Sequence, residues 1–156
     1  MNRFNRLVEL RHIREEMNGS AFARVLARLD GLQQDVVRLD QQTKEEQELV
    51  RLSIDQTAQG ALAGPPVAPG LLDNFLRGQS WRRKRLEQMI VVAQLDLEKA
   101  REAWLAARTQ LQQAEKLAEK ETLHQQKQAE RQEKKTMDMV GVMRNTKFFG
   151  QEGDSV

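Results

Sequence analysis

Apolar residues recur at seven-residue intervals along both halves of the chain, in two sets offset by three or four residues. Phe22, Leu29 and Val36 belong to one set in the first half, and Trp104 and Leu111 belong to a matching set in the second half. This spacing places apolar side chains along one side of a long α-helix and is typical of coiled coils. The residues predicted to form the seam between two helices are Phe22, Val25, Leu29, Leu32, Val36, Leu39, Ile90, Ala93, Leu97, Ala100, Trp104, Ala107 and Leu111.

One segment, residues 59–70, interrupts the heptad pattern. It contains all three prolines of the chain, and each proline lacks an amide donor and clashes with the preceding helical turn. A short connection between long helices makes them antiparallel neighbours. We therefore expect an all-α fold, an antiparallel coiled-coil hairpin over residues 1–146. Its helices are predicted at 3–58 and 71–145 and are joined by a Gly/Pro turn at 59–70. Residues 147–156 are predicted to form a flexible C-terminal tail.

The position of the turn predicts a register for the two helices. Folding about residue 64 or 65 places residue i opposite residue 129 minus i, so that Leu29 faces Ala100 and Glu46 faces Arg83. Large residues of one helix then meet alanines of the other, which allows close helix packing. Registers shifted by one heptad remain compatible with the pattern. In the predicted register the second helix extends past the first by roughly 17 residues, about 25 Å.

Composition narrows the class of protein. Charged residues make up 31% of the chain, and the aromatic residues are five Phe and two Trp, with no Tyr, a composition of long helices rather than layered sheets. The chain has no Cys, which excludes disulfides and thiolate metal sites. It also has no Gly-rich phosphate loop and no nucleophile paired with a base. We expect a cytoplasmic protein that is not an enzyme and uses no cofactor, metal ion or small-molecule substrate.

Two regions carry apolar or aromatic residues that the seam does not use. The first is the open end of the hairpin, where the overhang of the second helix is rich in methionine, a flexible side chain suited to docking surfaces. The second is near the turn, where Trp81 precedes the basic run Arg82–Arg85, which is either a solvated face or a contact for an acidic protein or anionic surface. The residues assigned to docking at the open end are Phe4, Leu7, Leu10, Lys134, Lys135, Met137, Met139, Val140, Met143 and Arg144.

Three stretches resemble the flagellar export protein FliJ and its relatives. The first is Phe4-x-x-Leu7-x-x-Leu10-Arg11 followed by Glu15-Glu16, the second surrounds Trp104 and Leu111, and the third is Arg131-Gln-Glu-Lys-Lys-Thr-Met-Asp138. The resemblance implies a stalk of the flagellar type III export apparatus, peripherally associated with the membrane-embedded export machinery. Its implied partners are the hexameric export ATPase, which the open end would engage and stimulate, the cytoplasmic domain of the export gate, and export chaperones. The related injectisome stalks remain an open alternative.

The resemblance also implies a gate contact near the turn. Phe75 matches the gate-contacting aromatic of the family, and Gln79 and Leu86 share its helix face. Trp81 and Arg82 are added to this contact because aromatic residues and arginine dominate interface hot spots. The residues assigned to the export-gate contact are Phe75, Gln79, Trp81, Arg82 and Leu86.

Two other classes of function stay open at this point. One is a generic coiled-coil scaffold or tether without an ATPase partner. The other, which is less favoured, is a basic helical hairpin that binds nucleic acid. Residues 71–147 hold sixteen Lys/Arg against eleven Asp/Glu, but no aromatic platforms alternate with the basic residues.

Overall fold

A computed structural model describes the backbone at residues 2–58 and 69–151. The fold is all-α, as predicted: helix α1 spans Asn5–Ala58, helix α2 spans Pro69–Gln151, and the two long helices pack against each other as a hairpin. Pro69 occupies the first turn of α2, where the missing amide proton costs no helical hydrogen bond. The rest of the predicted Gly/Pro turn and residues 152–156 of the predicted tail lie outside the described residues.

The chain forms two compact units, a central unit of Glu16–Ala106 and a terminal unit of Met1–Glu15 with Ala107–Val156. In the central unit Leu29, Leu32 and Ala93 form the buried core, and Ala93 has no exposed surface at all. Leu86, Ile90 and Leu97 pack around them as half-buried residues. The small Ala93 side chain allows the leucines of α1 to approach the α2 backbone. Every residue of the predicted seam is buried or half-buried.

Trp104 fills the seam of the central unit beside a glycine. Its indole stacks on the ring of Phe22 with the ring centroids 5.5 Å apart and the planes at 16°. A Cβ atom added at Gly19 would lie 3.2 Å from the Trp104 indole nitrogen. Gly19 therefore leaves the space into which the largest side chain of the seam packs, although glycine costs roughly 1 kcal/mol of helix propensity relative to alanine.

The predicted register is wrong by about one heptad. Arg83 pairs with Asp40 at 3.2 Å, and not with Glu46 as predicted; the two paired numbers add to 123 rather than 129. Phe22, predicted to face Ala107, stacks instead on Trp104, which is displaced by three residues in the same direction. A shift of one heptad keeps the same residues in the seam because the pattern repeats every seven residues. The apolar pattern therefore could not distinguish the two registers.

In the terminal unit, hydrogen bonds and an ion pair hold the start of α1 against the side of α2. The Asn2 side-chain amide donates hydrogen bonds to the Ala118 carbonyl at 2.6 Å and to the Thr122 hydroxyl at 2.9 Å. Its Oδ1 accepts a hydrogen bond from the Phe4 amide at 2.9 Å, which satisfies a backbone donor at the helix start. Arg3 lies 3.8 Å from Glu121. The seam of this unit is built on small residues, with Ala107 and Ala114 both buried.

Candidate functional site

Helix α2 is uncovered over residues 123–147 of the terminal unit. The contacts of Asn2 and Arg3 end at Glu121 and Thr122, and every residue from Leu123 to Lys147 is exposed. This stretch, which we call the overhang, contains roughly 25 residues and is about 37 Å long. It is longer than predicted because the shifted register moves the start of α1 by about seven residues along α2.

The methionines of the overhang point to different sides. Successive residues of an α-helix are rotated by about 100°, so Met139, Val140 and Met143 lie on one side of α2. Their exposed fractions are 62%, 46% and 61%. Met137, which is 76% exposed, is rotated by about 160° from Met139 but lies one turn from Val140, so it is at the margin of this side. The apolar side of the predicted docking patch is therefore mixed with positive charge, since Lys135 lies one turn before Met139 on the same side.

The overhang carries positive charge. Residues 123–147 contain six Lys/Arg against three Asp/Glu, a net of +3. All nine charged side chains are exposed. A partner that covers the apolar side would meet basic residues at its margins, which favours an acidic surface on that partner.

The N-terminal residues assigned to the same docking end differ in their exposure. Phe4 is half-buried, with the Arg3 guanidinium 4.9 Å from the centre of its ring. Leu7 is also half-buried, whereas Leu10 is 58% exposed. Arg11, and not Leu10, continues the seam and donates a hydrogen bond to the Gln110 side chain. Of the three predicted N-terminal contact residues, Leu10 offers the most accessible apolar surface.

A groove between the helices of the central unit surrounds Trp81. It has a volume of about 410 Å³, and Trp81 is 62% exposed. The Arg85 guanidinium lies 5.6 Å from the centre of the Trp81 ring, within the range of a cation–π interaction. The groove is lined from α1 by Asp35, Arg38, Leu39 and Gln42 and from α2 by Trp81, Arg82, Arg85, Leu86 and Met89.

The groove combines apolar surface with positive charge. Its charged lining residues are three arginines and Asp35, which forms an ion pair with Arg38 at 3.7 Å. The arrangement fits an extended or helical peptide segment with an apolar anchor and acidic neighbours, since aromatic and arginine side chains are the strongest anchors in protein interfaces. The α1 half of the groove was missed because the predicted register placed Glu48 opposite Trp81.

The residues assigned to the gate contact do not form one exposed patch. Trp81, Arg82 and Leu86 line the groove, and Phe75 is half-buried. Gln79 belongs to the seam: it is 5% exposed, and its Oε1 atom has no hydrogen-bond partner within the described part of the chain. A buried amide oxygen without a donor costs stability.

Within the described residues, neither surface carries a cluster of side chains that could hold a metal ion. No group of three or more His, Asp or Glu side chains among residues 2–56 and 70–147 is arranged to hold a metal ion. His124 lies 2.9 Å from the Gln128 amide nitrogen, one helical turn away on the exposed overhang. Within the described residues, neither helix is long and apolar enough to cross a bilayer. No family model, curated protein or solved structure matches the chain.

Proposed function

We propose that this chain is the non-enzymatic central stalk of a flagellar type III protein export apparatus. The stalk acts on the cytoplasmic side of the membrane, linking a hexameric export ATPase to the export gate and stimulating ATP hydrolysis. The order and spacing of the Phe4–Arg11 and Arg131–Asp138 motifs support this assignment. Contacts with export chaperones belong to the proposal because the family resemblance implies them.

The observation that carries the proposal is the uncovered overhang. A helix that projects beyond its partner and exposes Met139, Val140 and Met143 on one side needs a surface to cover that side. An ATPase ring provides such a surface around a central pore. Methionine side chains adapt to neighbours that are not identical, which suits a single stalk inside a ring of six subunits.

The groove at Trp81 supports the second part of the proposal, the contact with the export gate. Trp81 and Arg82 provide exposed aromatic and cationic anchors, and Leu86 adds apolar surface to the same groove. The excess of arginine over acidic side chains in the lining favours an acidic segment of the gate domain. Gln79 is buried in the seam and therefore does not contact the gate domain directly in this proposal.

Binding of side-specific variants to the ATPase tests the proposed stalk contact. The double variant Met139→Gln/Met143→Gln removes apolar surface from one side, while Met137→Gln makes the same change at a position rotated by about 120° or more from both methionines. Gln and Met have similar helix propensity, so both proteins keep their helices. We expect the double variant to lose co-purification with the hexameric ATPase and the Met137→Gln control to retain it.

Two results would count against this assignment. If the double variant binds the ATPase as the control does, then the apolar side of the overhang is not the contact. If the unchanged chain binds no export ATPase, the generic coiled-coil scaffold becomes the better account of the fold.

A further inference from the structure

Helix α2 exposes a second apolar surface within the central unit, on the side that faces away from α1. Val91, Val92 and Leu95 are 55%, 51% and 54% exposed, although they flank the fully buried Ala93. A rotation of about 100° per residue places Val91 and Leu95 opposite the seam and Val92 on their flank. Neither the seam nor the groove at Trp81 uses them.

Exposed residues on both sides of this surface follow the spacing of a coiled coil, with apolar side chains at Trp81 and Leu105 and polar side chains at the positions between. Starting at Trp81, exposed residues recur at alternating steps of three and four, which is the heptad spacing that a packed helix pair requires. We call this set the back seam. Its members, all exposed, are Trp81, Lys84, Gln88, Val91, Leu95, Glu98, Glu102 and Leu105.

We propose that the back seam binds a second copy of this chain, with the two α2 helices antiparallel. When residue i faces residue 186 minus i, Val91 meets Leu95 of the second copy and Trp81 meets Leu105 of the second copy. Lys84 meets Glu102 of the second copy in the same register. Two-fold symmetry repeats each pair, as expected for an isologous interface.

The charges select this arrangement over other ways of pairing two copies. In a parallel pair each residue would face itself, so that Lys84 would oppose Lys84 and Glu102 would oppose Glu102, which is repulsive. Among the described residues, Lys84, Glu98 and Glu102 form no intramolecular ion pair. Their charges are therefore available to a second copy.

The flanks of the back seam limit the strength of this dimer. On one flank Glu87, which also pairs with Arg83 of its own helix at 3.3 Å, approaches Arg101 of the second copy, which favours pairing. On the other flank Arg85 approaches Lys99 of the second copy, which opposes it. A short interface with mixed flanks is expected to give a transient dimer with a micromolar dissociation constant. Because Trp81 belongs to both surfaces, dimerisation and occupation of the groove compete.

Sedimentation equilibrium of the full chain tests the dimer. We expect the mass to rise from 18.0 kDa toward twice that value between about 5 and 500 µM. Lys84→Glu alone and Glu102→Lys alone should each weaken dimerisation by about tenfold or more, since two attractive pairs become repulsive. The double variant Lys84→Glu/Glu102→Lys should restore dimerisation, and Lys127→Glu, an exposed change outside the back seam, should leave it unchanged.

Three results would overturn the proposal. A constant mass of 18.0 kDa across the range shows that no dimer forms. A dimer that is indifferent to Lys84→Glu uses another surface. A dimer that the single variants weaken and the double variant does not restore contains the back seam in a different register. None of these results bears on binding to the ATPase, which uses the overhang.

Discussion

Trp104 lies against Gly19 and Phe22, and this contact sets the fit between the two helices of the central unit. The 3.2 Å distance from a Cβ at position 19 to the indole nitrogen leaves little room for any side chain there. The sequence pattern identified Trp104 as a seam residue and Gly19 only as a weak point in a helix. The connection between them depends on the register, which the apolar pattern leaves undetermined.

Replacing Trp104 with alanine should destabilise the hairpin by about 2–3 kcal/mol. Removing a fully buried aromatic side chain costs roughly 3–5 kcal/mol, and the half-buried position of Trp104 reduces this figure. Thermal or urea unfolding followed by circular dichroism measures the change. Trp81→Ala is the matched control, since Trp81 is 62% exposed, and it should change the unfolding free energy by less than about 0.5 kcal/mol. Equal losses from the two variants would show that Trp104 is not a core residue.

The helices α1 and α2 were predictable as elements, and their register was not. Heptads and the proline-containing segment were sufficient to place both helices and their antiparallel direction. The register depends on the Arg83–Asp40 pair and on the Trp104–Gly19 contact. Glu46 and Asp40 are both acidic, so charge alone gave Arg83 two candidate partners. The existence of the overhang was predicted, but its length required the structure.

Cysteine crosslinking distinguishes the two registers directly. Leu29 and Ala93 share one buried cluster, so the variant with Cys at both positions should form an intramolecular disulfide under mild oxidation. Cys at positions 29 and 100 should not, because Ala100 lies about 10 Å further along α2 than Ala93. Non-reducing electrophoresis and mass spectrometry of the intact chain measure the yields. A higher yield from the 29/100 pair would restore the originally predicted register.

At the scale of the whole molecule, the chain offers an overhang in the terminal unit and a groove with an adjacent back seam in the central unit. The apolar surface of the overhang and of the groove is bordered by more basic than acidic side chains. This distribution fits a protein whose role is to contact other proteins, and it explains why seam residues alone did not indicate a function. The resemblance in the terminal motifs remains the argument for export partners in particular.

The triple variant Phe75→Ala/Trp81→Ala/Arg82→Ala should lose binding to the export-gate domain. It removes the aromatic and cationic anchors at and beside the groove, which carry most of the binding energy in typical interfaces. Binding is measured by calorimetry at low micromolar chain concentration, with helicity checked by circular dichroism. ATPase binding should persist, because the overhang is unchanged. If this folded variant still bound the gate domain, the groove would not be the gate contact.

The claim that the overhang engages and stimulates the export ATPase is tested most directly by the rate of ATP hydrolysis. The rate is measured for the hexameric ATPase with the full chain and with a chain truncated after Glu130. Residues 131–147, which truncation removes, are all exposed, and the contacts of Asn2 with Ala118 and Thr122 remain. The helicity and thermal midpoint of the remaining hairpin should therefore be kept. The account predicts that the full chain raises the rate several-fold and the truncated chain leaves it at the level of the ATPase alone. Full stimulation by the truncated chain would contradict the claim that the overhang engages the ring.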